Sequence, residues 1–176
     1  MLFTDRSIWT MIHGIVLGGG ALMLLSAALF SLLALRASHG TDAAPRQARS
    51  LSLLMVAIAV VLWLTVLGGT YIVFPPYRAT PPEGLADLSQ YPRSLLLGSP
   101  ETAWLHAFAM EIKEHVPWIA AMIATAVAFV GVRQRSHLLS EGRIRGMVTA
   151  LTAICFVLVA SIALLGVFVN KVAPLE

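Results

Sequence analysis

Four stretches of the sequence are apolar for long enough to cross a lipid bilayer as α-helices. A helix rises about 1.5 Å per residue, so crossing about 30 Å of hydrocarbon takes about 20 apolar residues. The segments that meet this length lie at 8–35, 51–74, 103–132 and 147–169. Backbone polar groups left unpaired in hydrocarbon are costly, which leaves helices as the form that these segments take. The sequence therefore predicts an all-α fold, a four-helix transmembrane bundle that forms one integral membrane domain.

The composition agrees with a lipid-facing surface. The chain is 58% hydrophobic and 12% charged, whereas ordinary soluble domains are about 25% charged. The excess apolar surface is expected to face lipid. The net charge of +3 does not indicate nucleic-acid binding, because the basic residues lie in short connections beside apolar spans, where they usually fix topology.

The distribution of positive charge predicts the orientation of the bundle. Seven of the 12 basic residues lie in the connections 36–50 and 133–145, which the positive-inside rule places in the cytoplasm. Both termini and the long, proline-rich loop 75–102 then face outward, an N-out/C-out arrangement. From residue 102 to 132 only Pro117 interrupts the third segment, so this helix is expected to reach about 46 Å and to project beyond the outer face.

Small residues recur at helical spacing in two of the predicted spans. Gly14 and Gly18 form a GxxxG pattern in the first span. The third span carries small residues at intervals of three and four: Ala120, Ala121, Ala124, Ala128 and Gly131. Because small residues let helices approach closely in lipid, both sets are expected to pack against neighbouring helices.

Ionisable residues inside membrane spans are expensive and indicate candidate functional positions. The candidates here lie near the predicted outer face: His13, His106, Glu111, Lys113, Glu114 and His115. His106 and His115 are nine residues apart, which at about 100° per residue puts them on opposite faces of a straight helix. Glu111 and His115 are four apart and share a face.

One interpretation of these residues is a haem b held by two imidazoles. His13 would supply one ligand to the iron, and His115, or His106 in its place, would supply the other from the third span. Helical bundles build such sites from side chains on facing helices, and the axial ligands set the potential of the iron.

Three alternatives remain open at this point. Glu111 and His115 could hold a divalent metal together with His13, since carboxylate and imidazole suit several such ions. Glu111, Lys113, Glu114 and His115 could form an ion-pair network that caps the bundle or binds a quinone head group. The histidines could also simply form hydrogen bonds at the level of the lipid head groups.

A four-helix chain with histidines near its outer face resembles the small b-type cytochrome subunits that anchor respiratory dehydrogenases and pass electrons to quinone. The resemblance rests on His13, His106 and His115 as axial ligands. It implies an electron-transfer subunit of a respiratory or photosynthetic complex in a bacterial inner membrane, with Glu111 and Glu114 at a quinone site. The sequence lacks a clear second histidine pair near the inner face, because His39 and His137 are expected to be solvated in the inner connections, so at most one haem is expected.

The resemblance also implies partners for the chain. Other membrane subunits would pack against its helices, and a periplasmic redox protein would dock on the outer loop. The alternative is a cofactor-free structural subunit that stabilises a larger membrane complex. A stand-alone enzyme is less favoured than either, because the sequence contains no HExxH motif, phosphate loop or evident nucleophile–base set.

Overall fold

The computed structural model describes residues 4–37 and 42–174, and the described chain folds into four long helices joined by short connections and one long loop. The first, α1, consists of Asp5–Met11, Ile12–Gly19 and Gly20–Ala37. The other elements are α2 (Ala44–Tyr77), the short α3 (Pro92–Leu97), α4 (Pro100–Arg133), the short α5 (Arg135–Ser140) and α6 (Gly142–Val172). No strand occurs in these two ranges.

The four long helices are each long and apolar enough to cross a membrane. The predicted four-helix, all-α architecture is therefore confirmed. The spanning regions are 31–34 residues long in all four cases, so the extra length expected of the third span is shared by all four helices. Each reaches about 46–51 Å at 1.5 Å per residue, well beyond the hydrocarbon thickness. The chain is a multi-pass membrane protein by this architecture.

Helix α2 continues through the two prolines that were expected to stop it. Pro75 and Pro76 lie in the α-helical turn Phe74–Tyr77, which directly follows a π-helical segment. Proline lacks an N–H group but is tolerated in a first helical turn, where that donor has no intrahelical acceptor. The Arg78 N–H then donates to the Phe74 carbonyl at 3.1 Å and ends the helix.

The bundle has a simple up-and-down arrangement. Helix α2 packs against α4, α4 against α6, and α1 against both α2 and α6. Helices α1 and α4 are therefore diagonal to each other across the bundle axis. One end, here called the long-loop end, carries the loop 78–99 together with the start of α1 and the end of α6. The other, the basic end, carries α5, the end of α1 and the start of α2.

The alanine face of α4 packs as predicted. Ala120, Ala121, Ala124 and Ala128 are all buried. At Gly131 an added Cβ would lie 2.5 Å from the Met55 Sδ of α2, and the Ser52 hydroxyl of α2 donates to the Gly131 carbonyl at 2.6 Å. Small residues therefore allow the close approach of α2 and α4.

The glycines of α1 do not behave in the same way. A Cβ added at Gly14, Gly19 or Gly20 would meet nothing within 4 Å among the described residues, and at Gly18 it would meet only the carbonyl of His13 in the same helix. The predicted packing role of the GxxxG pattern is therefore not found within residues 4–37 and 42–174. These glycines leave one face of α1 open.

Large apolar side chains cover the outside of the bundle. Met23 is 75% exposed and Phe30 is 73% exposed, as expected of residues that face lipid instead of water. The interior contains two apolar clusters. The main core lies toward the basic end, and the end core lies under the long loop and contains Tyr77, Leu96, Leu105, Ala109, Met110 and Val169.

Candidate functional site: a polar layer and a membrane-facing pocket

A polar layer separates the two apolar clusters. The main core extends to Ala21, Val66, Ala120 and Val159, and the end core resumes at Tyr77, Met110 and Val169. His13 of α1 and Lys113 of α4 lie between these limits and interact electrostatically. Because α1 and α4 are diagonal, this interaction crosses the interior of the bundle.

Two glycines on the other helices make room for these side chains. A Cβ at Gly69 of α2 would lie 2.7 Å from His13 Cε1, and a Cβ at Gly166 of α6 would lie 2.9 Å from Lys113 Nζ. Real Cβ atoms do not approach other carbon or nitrogen atoms so closely. At Gly69 the rigid imidazole leaves no room for a side chain, whereas at Gly166 the neighbouring atom is the end of a flexible lysine, which can move aside.

The backbone is also irregular at this level. Three of the four long helices contain a π-helical segment toward the long-loop end, at Ile12–Gly19, Gly69–Val73 and Leu105–Met110. His13 lies in the first segment and Gly69 begins the second. Such segments are uncommon and often occur at functional sites, because the extra residue reorients the side chains around it.

The imidazole of His13 packs against Gly69 of α2. Its Nδ1 is buried and has no hydrogen-bond partner in the described part of the chain. A buried polar atom without a partner is rare in native proteins and calls for an explanation, such as a missing ligand or a catalytic role.

The side chain of Lys113 likewise has no polar partner among the described residues. It forms no hydrogen bond and no ion pair with any residue in the described ranges. The side chain is partly exposed as a whole, but its ammonium end points inward against α6. Lysines within membrane spans are usually paired or line a pathway, so an unpaired one marks this layer as a functional candidate.

A pocket of about 430 Å³ lies between α1 and α2 and includes His13 in its wall. The rest of the lining is almost wholly apolar or aromatic: Trp9, Ile12, Leu17, Leu64, Leu67, Gly68, Tyr71, Ile72 and Val73. Tyr71 is 70% exposed and Trp9 is 47% exposed, so the pocket opens on the outer surface of the bundle. Pockets that bind small molecules are typically about 300–1,000 Å³, apolar, and supplied with a few polar groups.

His106 lies at a different level from His13. Its Nδ1 shares a hydrogen bond of 2.8 Å with the hydroxyl of Tyr77, a buried residue at the end of α2. His13 contacts Gly69, which precedes Tyr77 by eight residues on the same helix. At 1.5 Å per residue the two imidazoles are therefore about 12 Å apart along the bundle.

His115 and Glu111 lie on the outside of α4. The His115 side chain is 72% exposed, and its Nδ1 is 2.8 Å from the Glu111 carbonyl and 3.8 Å from the Glu111 carboxylate. The predicted shared face of these two residues is confirmed, and it is an outer face. Glu114 is partly buried and interacts electrostatically with Tyr77. The predicted network of Glu111, Lys113, Glu114 and His115 therefore reduces to the Glu111–His115 pair.

These placements do not fit a haem held by two of the predicted histidines within one chain. Two axial imidazoles must face one iron from opposite sides, whereas His13 faces α2, His106 faces Tyr77 and His115 faces outward. The haem stays a prediction that this arrangement does not favour. Among residues 4–37 and 42–174, no group of three His, Cys, Asp or Glu side chains is placed to hold a metal ion.

Sequence reasoning identified His13 but missed its surroundings. The glycines at 69 and 166 gave no separate signal, because glycine is common in membrane spans. Lys113 carried a usable signal. It is a lysine near an apolar run, and its acidic neighbours in the sequence, Glu111 and Glu114, do not pair with it.

Fold and site together define the class: a four-span helical membrane protein with a polar layer and a lipid-accessible pocket at one end. No protein-family model matches the chain, and neither a curated protein nor a solved structure is significantly similar to it.

Proposed function

We propose that this chain is a membrane-anchoring, quinone-binding subunit of an electron-transfer assembly, with the pocket at His13 as its quinone site. The observation that carries the proposal is a single one: His13, whose buried Nδ1 has no partner among the described residues, belongs to the wall of an otherwise apolar pocket. A ligand that matches this pocket is largely apolar and brings one hydrogen-bonding oxygen to the ring.

The position of the pocket favours a lipophilic ligand. Exposed apolar residues surround its mouth, including Leu64 and Leu67 of α2, so a ligand enters from the bilayer and not from water. A quinone has this chemistry, since its planar ring carries two oxygens and its isoprenoid tail stays in lipid. Trp9 and Tyr71 at the mouth offer aromatic faces to such a ring; stacked aromatic contacts add about 0.5–1.5 kcal/mol to burial.

Electron transfer would then proceed to a partner subunit. Oxidation of a quinol releases two electrons and two protons, and the electrons require a one-electron acceptor such as a haem or an iron–sulfur centre in that partner. The long loop, 78–99, is the surface on which we place a periplasmic redox protein. His106 and Tyr77 lie beneath it, between the pocket and the long-loop end.

The test is a binding titration of the purified chain in lipid nanodiscs with a short-chain benzoquinone, followed by calorimetry. Gly68 lines the pocket, and a Cβ there meets nothing within 4 Å, so Gly68→Leu should fill the pocket without displacing its walls. Gly20→Leu is the matched control, because Gly20 is equally open and lies outside the pocket lining. We expect saturable binding that Gly68→Leu abolishes and Gly20→Leu preserves. Absence of saturable binding to the unmodified chain would refute the proposal.

The haem prediction has its own test. A reduced-minus-oxidised spectrum of the native assembly would show a b-type α-band if a haem is present, and the band would disappear in His13→Ala or His115→Ala if those residues ligate it. An unchanged band in both variants would assign the haem to another subunit.

A structural subunit is the second candidate, and the open face of α1 favours it. Gly14, Gly19 and Gly20 have no neighbouring helix within the described chain, and such a surface suits close packing by a helix of another subunit. Gly14→Leu should then reduce co-purification of the partner subunits. Co-purification at the level of the unmodified chain would remove this candidate.

The N-out/C-out orientation and the bacterial inner membrane remain part of the proposal. The natural cysteine, Cys155, is buried, so cysteines introduced at exposed positions report sidedness. Ala86 in the long loop and Ser136 in α5 are both exposed. In intact cells, a membrane-impermeant maleimide should label Ala86→Cys and spare Ser136→Cys; the opposite pattern would invert the topology.

A further inference from the structure

The guanidinium of Arg135 is held where α2 meets α4 at the basic end. Its Nε donates a hydrogen bond of 3.2 Å to the hydroxyl of Ser52 on α2. That buried hydroxyl in turn donates to the Gly131 carbonyl of α4. The two terminal nitrogens of Arg135 have no partner among the described residues and are not buried. The protein therefore orients this guanidinium through one nitrogen and leaves its other donors accessible.

Arg49 supplies a second guanidinium close to this level. It precedes Ser52 by three residues on α2, which places it about 4.5 Å nearer the basic end and about 60° around the helix. Its side chain is exposed and has no hydrogen-bond or ion-pair partner in the described ranges. Helix α5, which begins at Arg135, packs against α2. The two arginines therefore lie on neighbouring parts of one surface.

The carboxylates of the described chain do not neutralise this surface. At the basic end these are Asp42, which precedes α2, and Glu141, which is hydrogen-bonded to His137 at 2.5 Å. No ion pair joins Arg49 or Arg135 to a carboxylate within residues 4–37 and 42–174, and His39 lies outside these ranges. Both guanidiniums are therefore free to bind an anion.

An apolar stripe continues the face of Arg49 toward the middle of α2. Its members follow Arg49 at intervals of four, three and four residues, the spacing of one helix face, and all are exposed: Leu53, Val56 and Val60. On a membrane-spanning helix such a stripe faces acyl chains. An anion that suits both the arginines and the stripe has a charged head and an apolar tail.

We infer that Arg135 and Arg49 bind the phosphate of an anionic phospholipid, whose acyl chains lie along this stripe. Arginine forms paired hydrogen bonds to phosphate oxygens, and basic residues beside membrane spans attract anionic lipids. A zwitterionic lipid carries its own cation beside the phosphate and gains less from the arginines. The site lies at the other end of the bundle from the pocket at His13, so it does not depend on the quinone proposal.

The experiment is native mass spectrometry of the purified full chain in detergent. The chain is titrated with dioleoyl phosphatidylglycerol, with dioleoyl phosphatidylcholine, and with glycerol phosphate, which has the phosphate but no acyl chains. Phosphatidylglycerol should bind about fivefold or more tightly than phosphatidylcholine, and glycerol phosphate should bind more weakly than either lipid. Arg135→Gln and Arg49→Gln should each lower the affinity for phosphatidylglycerol by about fivefold.

Arg143→Gln is the matched control. Arg143 is exposed at the start of α6, the helix diagonal to α2, so its loss removes the same charge from the same end of the bundle. The affinity should change by less than about twofold, because exposed charges across the bundle are largely screened. Circular dichroism checks folding. If Arg135→Gln does not fold, the comparison of Arg49→Gln with Arg143→Gln decides, since the exposed Arg49 has no bond whose loss would disturb the helices.

Three results would overturn the inference. Equal affinities for the two lipids would show that the arginines do not select an anionic head group. An equal loss in the Arg49 and Arg143 variants, or no loss in the Arg49 variant, would replace a defined site with diffuse attraction to positive charge. Binding of glycerol phosphate as tight as that of phosphatidylglycerol would show that the site takes a soluble phosphate and not a lipid.

Discussion

Gly69→Ala displaces the ring of His13 without changing any polar group, which makes it the most direct probe of the site. The new Cβ would lie 2.7 Å from His13 Cε1, whereas non-bonded carbon atoms settle at about 3.5–4.0 Å. The ring must therefore withdraw from α2 by about 1 Å. That movement changes the position of the ring in the wall of the pocket between α1 and α2.

The expected effect follows from the contact between the His13 ring and a bound ligand. A neutral hydrogen bond contributes about 0.5–1.5 kcal/mol net, and a displaced ring no longer forms it with good geometry. Affinity for the short-chain benzoquinone should fall by about three- to tenfold. Calorimetric titration of Gly69→Ala in nanodiscs measures this change, with circular dichroism as the check that the helices remain intact.

The free energy of unfolding of Gly69→Ala does not report on the binding site, so a matched control is needed. Replacing glycine by alanine inside a helix gains up to about 1 kcal/mol of helix propensity, so Gly69→Ala could be as stable as the parent while its site is disturbed. Gly20→Ala makes the same chemical change where nothing lies within 4 Å, and it should bind the benzoquinone normally. A folded Gly69→Ala that binds the benzoquinone as tightly as the parent would refute the assigned role of this contact.

Three further predictions concern stability and titration. Lys113→Met removes an ammonium that has no acceptor among the described residues. It should raise the free energy of unfolding in detergent by about 1–3 kcal/mol. A lower free energy of unfolding would contradict this, because it would show that Lys113 has a stabilising partner. Gly131→Ala would place a Cβ 2.5 Å from the Met55 Sδ and should lower the free energy of unfolding by about 1–3 kcal/mol. The loss should disappear in a Met55→Ala background. It should also be absent in Gly146→Ala, where a Cβ meets nothing within 4 Å. The hydrogen bond from the backbone N–H of Ser89 lowers the pKa of Asp87. The turn that this bond stabilises should therefore stay formed as the pH falls through the usual carboxyl range, and loosen only when the pH reaches the lowered pKa. An NMR titration measures this pKa, and a normal value would contradict the bond.

The overall architecture follows from the sequence because it depends on summed properties. About twenty consecutive apolar residues span the hydrocarbon whatever their order, so four spans are evident from composition alone. The ends of the helices are harder to predict, because they depend on local backbone bonding. At Pro75 the sequence suggests a stop, yet a preceding π-helical segment places the proline in a first turn, where it is tolerated.

The sequence predicted which candidate residues share a helix face, but not which of those faces are buried. A helical wheel at 100° per residue assumes an uninterrupted α-helix, and the π-helical segment Leu105–Met110 rotates the start of α4 relative to the residues that follow. The wheel correctly placed Glu111 and His115, which lie beyond that segment, on one face of the helix. It could not show that the shared face points outward, because which side of a helix is buried depends on the neighbouring helices.

The polar layer is hard to account for by packing alone. The main core shows how this chain fills space when stability is the only requirement: alanines and leucines interlock, and the one buried serine of α2 finds a carbonyl acceptor. Between the two cores the same bundle instead holds an imidazole and an ammonium that lack partners in the described chain, with glycines at the opposing positions. The main core follows the usual rules of apolar packing and hydrogen-bond satisfaction, and the polar layer breaks both. Exceptions that are concentrated in one place usually mark a functional site. The groups that would complete the layer are a hydrogen-bonding ligand at His13 and an acceptor at Lys113, and the pocket between α1 and α2 gives the first of these a route from the bilayer.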